Sequence, residues 1–177
     1  MTFISKKDGF SLIELLVIVG IIGILLAMGG IFSAKYANRR SVDRVTTTIS
    51  STLQLVKLKA GRQGLEYQAV LTYDPTAETL TVVTERGNSN RGSTNYEEET
   101  SQTIEVVDGI TISPTNRTFN FNPNGTLGGA SGTINVTPTS GEDRERCGRV
   151  VVSPFGRISV IQGNWNSSGS GSCEAYD

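Results

Sequence analysis

The chain has 177 residues and a formal net charge of −1, which allows one domain with an appendage and gives no overall electrostatic attraction for nucleic acid. Its 20 glycines and small aromatic fraction are typical of a small β-rich domain with many turns. The sequence has no histidine, which excludes histidine-based catalytic triads, metal sites and proton switches.

The first element in chain order is a long apolar segment. It runs from Leu15 to Phe32, 18 residues without a charge, the lower limit for a helix that spans a bilayer. A buried core helix is the alternative, but a domain this small could not enclose a helix that is apolar on all sides. A secretory signal peptide would have small residues at a cleavage site after the segment, and AMGGIFSAK matches that pattern poorly. We therefore predict a membrane-spanning helix.

One acidic residue, Glu14, lies at the start of this apolar segment. A carboxylate is costly inside a membrane unless it is paired, so such a residue is a candidate for a functional role. The alternative is a carboxylate at the level of the lipid headgroups, near the helix end, with no role. Position alone leaves both interpretations open.

The residues from Gly9 to Leu16, GFSLIELL, resemble the prepilin signature of type IV pilins and type II secretion pseudopilins. The resemblance implies cleavage after Gly9 by a membrane prepilin peptidase on the cytoplasmic side and N-methylation of Phe10, the new N-terminus. It also implies a role for Glu14 in assembly, paired with the Phe10 ammonium of a neighbouring subunit. The implied partners are other pilin or pseudopilin subunits, the peptidase, the inner-membrane assembly platform and the lipid bilayer.

The charges that flank the apolar segment conflict with the topology that this resemblance implies. Residues 6–8 contain two lysines and one aspartate, and residues 35–44 contain four basic residues and one aspartate. The positive-inside rule alone would therefore place the C-terminus in the cytoplasm. The prepilin signature and the cysteines indicate the opposite orientation. We expect a single-pass inner-membrane protein with a periplasmic C-terminal domain, which later enters a pilus or pseudopilus filament.

A helix is predicted to continue beyond the membrane. Apolar residues recur at helical spacings of three and four after Ser41, and Gly61 and Gly64 are expected to end the helix. We divide the N-terminal part into a cleaved leader (1–9), a transmembrane half (10–35) and an amphipathic half that packs on a sheet (36–64). The amphipathic stripe consists of Val42, Val45, Ile49, Leu53 and Val56.

Residues 65–177 are predicted to form a β-rich periplasmic or extracellular domain. The polar segment Gly87–Gln102, with its acidic run 97–99, is expected to be a mobile loop with a solvated surface, and a calcium site is the weaker alternative. The last 14 residues are expected to be flexible by composition, unless Cys173 ties them back. Strands are predicted at 67–73, 79–85, 103–107, 109–113, 118–122, 132–137, 149–153 and 157–162.

A second resemblance covers the later part of this domain. FNFNPNG from Phe119 to Gly125, followed by RVVVS from Arg149 and Gly156-Arg157-Ile158, is similar to the GspH/FimT group of minor pseudopilins and minor pilins. The fold implied is α+β: a long N-terminal helix packed on a β-sandwich-like domain.

The only cysteines, Cys147 and Cys173, are too few for a four-ligand zinc site and do not form a C-x-x-C motif. An even pair of this kind indicates a disulfide in an oxidising compartment. Two free buried thiols are the alternative.

The sequence contains none of the nucleotide-binding or nucleophile motifs that mark common enzyme classes. We therefore predict a non-enzymatic filament subunit of a type II secretion pseudopilus or a type IV pilus, without a cofactor or a metal. The alternative is a DNA-binding minor pilin for natural transformation, because some FimT-type relatives bind DNA through G-R-x-R. Here Ser159 replaces the second arginine of that motif, so only Arg157, assisted by Arg149, would contact phosphate.

Overall fold

The computed structural model describes residues 11–139, 145–166 and 172–175, without the side chains of residues 27–38 and 172. Gly9 and Phe10 lie outside the described residues, as do the acidic and basic residues at 140–144. The chain divides into two compact units, Met1–Tyr36 and Ala37–Asp177.

One helix, α1 (Leu12–Gln63), accounts for the whole N-terminal part of the described chain. The carbonyl of Ser11 accepts hydrogen bonds from the N–H groups of Glu14 and Leu15, at 3.0 and 3.2 Å. At the other end Gly64 has a φ of 68° and donates its N–H to the carbonyl of Ala60. Glycine ends the helix here because it adopts positive φ without a Cβ clash. Gly61, which we also expected to end the helix, lies inside it.

Where side chains of α1 are described, residues 12–26 and 39–63, no helical stretch is long and apolar enough to cross a membrane. The predicted apolar stripe from Val42 to Val56 is buried in the second unit, together with Ala60. The 3–4 spacing therefore identified the core face of the helix correctly.

Nine described strands form two antiparallel sheets. The first sheet has the order β3-β2-β1-β5 and the second has the order β4-β6-β7-β8-β9. Side chains of α1 and of both sheets share one hydrophobic core, so the predicted α+β class is confirmed. The strands are β1 (Tyr67–Asp74), β2 (Thr79–Gly87), β3 (Tyr96–Glu105), β4 (Ile110–Ser113), β5 (Asn116–Phe121), β6 (Gly132–Pro138), β7 (Arg146–Val152), β8 (Ile158–Asn166) and β9 (Ser172–Ala175).

The prediction of a mobile loop at Gly87–Gln102 is wrong for the second half of this segment. There β3 begins at Tyr96 and pairs with β2. A buried carboxylate explains the order of this segment. Glu66 accepts a hydrogen bond from the N–H of Ser93 at 2.8 Å, and its own N–H donates to the carbonyl of Ser89. The Ser93 N–H is a donor of the kind that a buried carboxylate requires. Together with the backbone bond from Glu66 to Ser89, it fixes the connection between β2 and β3.

The last 14 residues also contain more structure than composition predicted. β9 pairs with β8, and Cys173 on β9 forms a disulfide with Cys147 on β7. The two Cα atoms are 5.7 Å apart and the residues are 26 positions apart in sequence. Pairing with β8 satisfies the backbone of a segment whose polar sequence, rich in glycine and serine, carries little signal for a strand.

Candidate functional site

The first part of α1 presents an unusually apolar surface. Twelve large aliphatic side chains between Leu12 and Leu26 are exposed, each by 43–82%. Monomeric soluble proteins rarely expose a continuous apolar patch of this kind, so the segment requires a lipid or protein environment. These side chains are Leu12, Ile13, Leu15, Leu16, Val17, Ile18, Val19, Ile21, Ile22, Ile24, Leu25 and Leu26.

Glu14 is the only acidic residue in this stretch and lies in the first turn of α1. Its side chain is exposed, and a carboxylate in the first turn interacts favourably with the positive end of the helix dipole. The predicted cleavage position Gly9 and the predicted methylation and pairing position Phe10 precede the described residues.

The two arginines predicted to bind DNA are not brought together. Arg149 is opposite Ile161 in the β7–β8 ladder, whereas Arg157 is opposite Ser153 in the turn that joins these strands. Four residues along a strand correspond to about 13 Å. The Nε of Arg149 also donates to the side-chain oxygen of Asn135 at 3.1 Å. Arg157 is exposed at the turn.

An open groove lies beside this turn, and we call it the helix–turn groove. It is lined by one face of α1 between Gln54 and Arg62 and by the turn residues 123–125 and 155–158. It consists of two adjoining depressions of about 360 and 390 Å³, which share Gln54 and Lys57.

Two glycines in the left-handed region build the wall of the groove. Gly125 has a φ of 82° and Gly156 a φ of 70°. A Cβ added to Gly156 would meet the carbonyl oxygen of Gly125, so only glycine fits between these turns. The ammonium of Lys57 donates to the carbonyl of Gly156 at 2.9 Å, and the N–H of Leu127 donates to the carbonyl of Pro154 at 3.2 Å. The two turns are therefore bonded to each other and to the helix.

The groove combines apolar side chains with positive charge. The Phe155 ring is 84% exposed and the Leu58 side chain 56%. Lys57, Arg62 and Arg157 are among the described lining residues, and none of those residues is acidic. The sequence analysis identified Arg157 but missed Lys57, Leu58, Arg62 and Phe155. Asn124-Gly125 was the available signal for the first of the two turns, because Asn-Gly is a dipeptide that marks turns.

The acidic run lies on β3 and not in the expected loop, but its three glutamates are exposed, as predicted for a solvated surface. The Glu99 carboxylate accepts hydrogen bonds from Lys59 at 2.8 Å and from the Tyr67 hydroxyl at 2.6 Å. The Lys59 bond, with a smaller contribution from Tyr67, lowers the pKa of Glu99, while burial and the Glu99 bond raise the pKa of Tyr67 to about 12. Glu97 pairs with Arg86. Among the described residues no group of three or more metal-ligating side chains occurs.

Comparisons with known proteins match the N-terminal segment of the chain and its fold. Residues 4–30 match the model of the prokaryotic N-terminal methylation motif. The fold is similar to the type IV minor pilin FimU of Pseudomonas aeruginosa, with 14% identity, a TM-score of 0.51 and coverage of 76% of this chain and 95% of FimU. The chain has a prepilin-type N-terminus and a minor-pilin fold.

A second solved structure resembles the chain less closely. The minor pseudopilin EpsH from the type 2 secretion system of Vibrio cholerae has 12% identity and a TM-score of 0.48, and the match covers 68% of this chain and 96% of EpsH. No curated protein matches the sequence. The match of the N-terminal motif and the fold shared with FimU confirm the predicted resemblance to minor pilins.

Proposed function

We propose that this protein is a non-enzymatic minor subunit of a type IV pilus or a type II secretion pseudopilus. It is inserted in the inner membrane through the apolar segment, cleaved between Gly9 and Phe10, methylated at Phe10 and then moved into a filament. The apolar surface of α1, which lies within the residues that match the methylation motif, carries this proposal. A filament subunit needs such a surface twice, first against lipid and then against the helices of its neighbours.

The nearly uniform apolar character of this helix segment supports a role in filament assembly. Apart from Glu14, the helix from Leu12 to Leu26 has no charged residue. Lipid covers such a surface before assembly, and apolar helices of other subunits cover it afterwards, so transfer between the two environments has a small free-energy cost. The Glu14 carboxylate then favours one docking position, because it is stable in an apolar filament core only beside a cation such as the Phe10 ammonium.

Processing is the first test. Mass spectrometry of the N-terminal peptide from native membranes should find a chain that begins at methylated Phe10 and lacks nine leader residues. Substituting Gly9 by valine, a β-branched residue at the cleavage position, should leave the leader attached and keep the protein out of sheared filaments. The matched control is Gly129→Val, at an exposed glycine outside α1 where an added Cβ meets no described atom.

Cleavage after the apolar segment, or an intact Met1 chain in functional filaments, would contradict the proposal. A secretory signal peptide would give the first of these results, because its cleavage site follows the apolar region.

The DNA-binding alternative stays a prediction. Arg149 is about 13 Å along the strands from Arg157 and is already bonded to Asn135, so the two arginines do not form the phosphate clamp that would favour it. We therefore do not propose it as a second function, and it enters as a competing outcome in the experiment described next.

A further inference from the structure

We infer that the helix–turn groove is the docking surface for an acidic, partly apolar segment of a different filament subunit. This inference rests on the proposed function, since it assigns a partner to one surface of the assembled protein.

The exposed apolar side chains are the first argument. Phe155 and Leu58 lie over one groove and are largely solvent-accessible, although both residue types are usually buried. Phe155 is on the turn after β7, where an aromatic ring contributes nothing to the core. Aromatic and aliphatic side chains that fill or line pockets provide much of the binding energy of protein interfaces.

The charge of the groove is the second argument. Arg62 and Arg157 are exposed and Lys57 uses one of its three N–H donors on Gly156. No described lining residue is acidic, so the positive charge has no compensating carboxylate inside the groove. Guanidinium groups bind carboxylates through two parallel hydrogen bonds, which gives both affinity and orientation. A partner that carries aspartate or glutamate next to an apolar side chain therefore complements this surface.

Preorganisation is the third argument. The turns that carry Gly125 and Gly156 are in van der Waals contact and are joined by the Leu127–Pro154 backbone hydrogen bond. Lys57 fixes the second turn to α1. A surface that is already ordered loses little conformational entropy when a partner binds, so a small contact area can give specific binding.

A different subunit fits this chemistry better than DNA or a second copy of this chain. Duplex DNA needs several cations spaced along its phosphates, whereas this groove has three cations around apolar side chains. The acidic run 97–99 of a second copy is a poor ligand, because Glu97 and Glu99 are already bonded to Arg86 and Lys59 within their own chain.

Site-specific photocrosslinking in the native cell tests the inference with the full-length protein. A benzophenone amino acid replaces Phe155, and after irradiation the crosslinked peptides are identified by mass spectrometry. We expect an adduct with another prepilin-type subunit, on a segment that contains aspartate or glutamate. The same amino acid at Val107, an exposed apolar position outside the groove, should give no such adduct.

Charge reversal provides the second measurement. Arg62→Glu with Arg157→Glu should lower the crosslink yield by about tenfold or more, because each reversal places like charges together at the interface. Both side chains are exposed, so processing and protein level should not change. Arg91→Glu, an exposed arginine outside the groove, is the matched control and should leave the yield unchanged.

Several results would overturn the inference. They are no groove-dependent adduct in cells whose filaments contain the protein, an adduct with a segment that lacks acidic residues, and an adduct with a second copy of this chain. Gel shifts in which Arg157→Ala abolishes and Ser159→Arg strengthens duplex DNA binding would make the surface a nucleic-acid site instead. Failure of the protein to be processed or to enter filaments at all would count against the proposed function itself.

Discussion

At the scale of single residues, Glu14 connects sequence to assembly most directly. In the described stretch from Leu12 to Leu26 it is the only side chain that an apolar environment does not tolerate alone. Its position in the first turn of α1 places it near the N-terminal end of the helix, where the resemblance to prepilins puts a cationic partner on a neighbouring subunit. A pairing of this kind would act only during assembly, because the isolated chain leaves the carboxylate exposed.

We predict that Glu14→Gln lowers incorporation into filaments by about tenfold or more, because the substitution removes one partner of a buried ion pair. Size and hydrogen-bonding capacity are retained, so membrane insertion and cleavage should continue. The measurement is the ratio of processed protein in sheared filaments to processed protein in membranes. The control is Glu98→Gln, an exposed acid on β3. Wild-type incorporation of the Glu14→Gln protein would make Glu14 a tolerated residue without a role in assembly.

At the scale of elements, β3 pairs with β2 and is also bonded to α1 through a side chain. Glu99 bridges Lys59 of α1 and Tyr67 of β1, so one carboxylate links three elements. The acidic run would repel itself in a free loop, but on β3 two of its three carboxylates have basic partners. Partners that are distant in sequence therefore decided whether this segment is a loop or a strand.

This contact predicts a pH dependence. Lys59 first, and Tyr67 second, lower the pKa of Glu99 from its ordinary value of 4.5, so the carboxylate is favoured in the folded state. The stability that it contributes is present above pH 4.5 and is lost as the pH falls through the lowered pKa. Glu99→Gln should therefore reduce the free energy of unfolding at pH 7 by up to about 1 kcal/mol, as expected for a partly exposed ion pair.

Urea unfolding of the wild-type and Glu99→Gln proteins between pH 7 and pH 3 measures this effect. The difference between the two proteins should shrink below about pH 4.5 and approach zero at the acid end. A difference that stays constant over the whole range would mean that the substitution acts through packing and not through charge. Glu98→Gln should show no difference of this form.

At the scale of the whole molecule, the disulfide between β7 and β9 closes the C-terminal part of the second sheet. β8 lies between the two bonded strands. The covalent link holds a short edge strand that would otherwise depend on the four residue pairs it makes with β8. Both cysteines are buried, which is consistent with a structural bond in an oxidising compartment.

We predict that Cys173→Ser lowers the free energy of unfolding by about 3–4 kcal/mol, the chain-entropy value for a loop of this length. Peptide mapping of the native protein without reduction should find residues 147 and 173 in one linked peptide, and thermal unfolding should measure the loss. Ser172→Ala, next to the cysteine on the same strand, is the control and should have little effect. Two free thiols in the native protein would contradict the prediction.

The sequence alone determined the features that depend on local pattern and residue chemistry. The segment around Gly9, Phe10 and Glu14 predicted a prepilin-type N-terminus, the spacing from Val42 to Val56 predicted a buried helix face, and alternating residues predicted most strands. The first of these predictions rests on a resemblance carried by a short local motif. The other two rest on the period of the backbone, which fixes which side chains within one element share a face.

Only the tertiary structure decided the features that join residues distant in sequence. The start of β3 depends on hydrogen bonds made by buried Glu66, and β9 depends on pairing with β8 and on the bond to Cys147. The separation of Arg149 from Arg157 follows from strand register, and the helix–turn groove exists because turns at Gly125 and Gly156 meet beside α1. These contacts are set by packing and hydrogen-bond satisfaction across the fold, which no local pattern records.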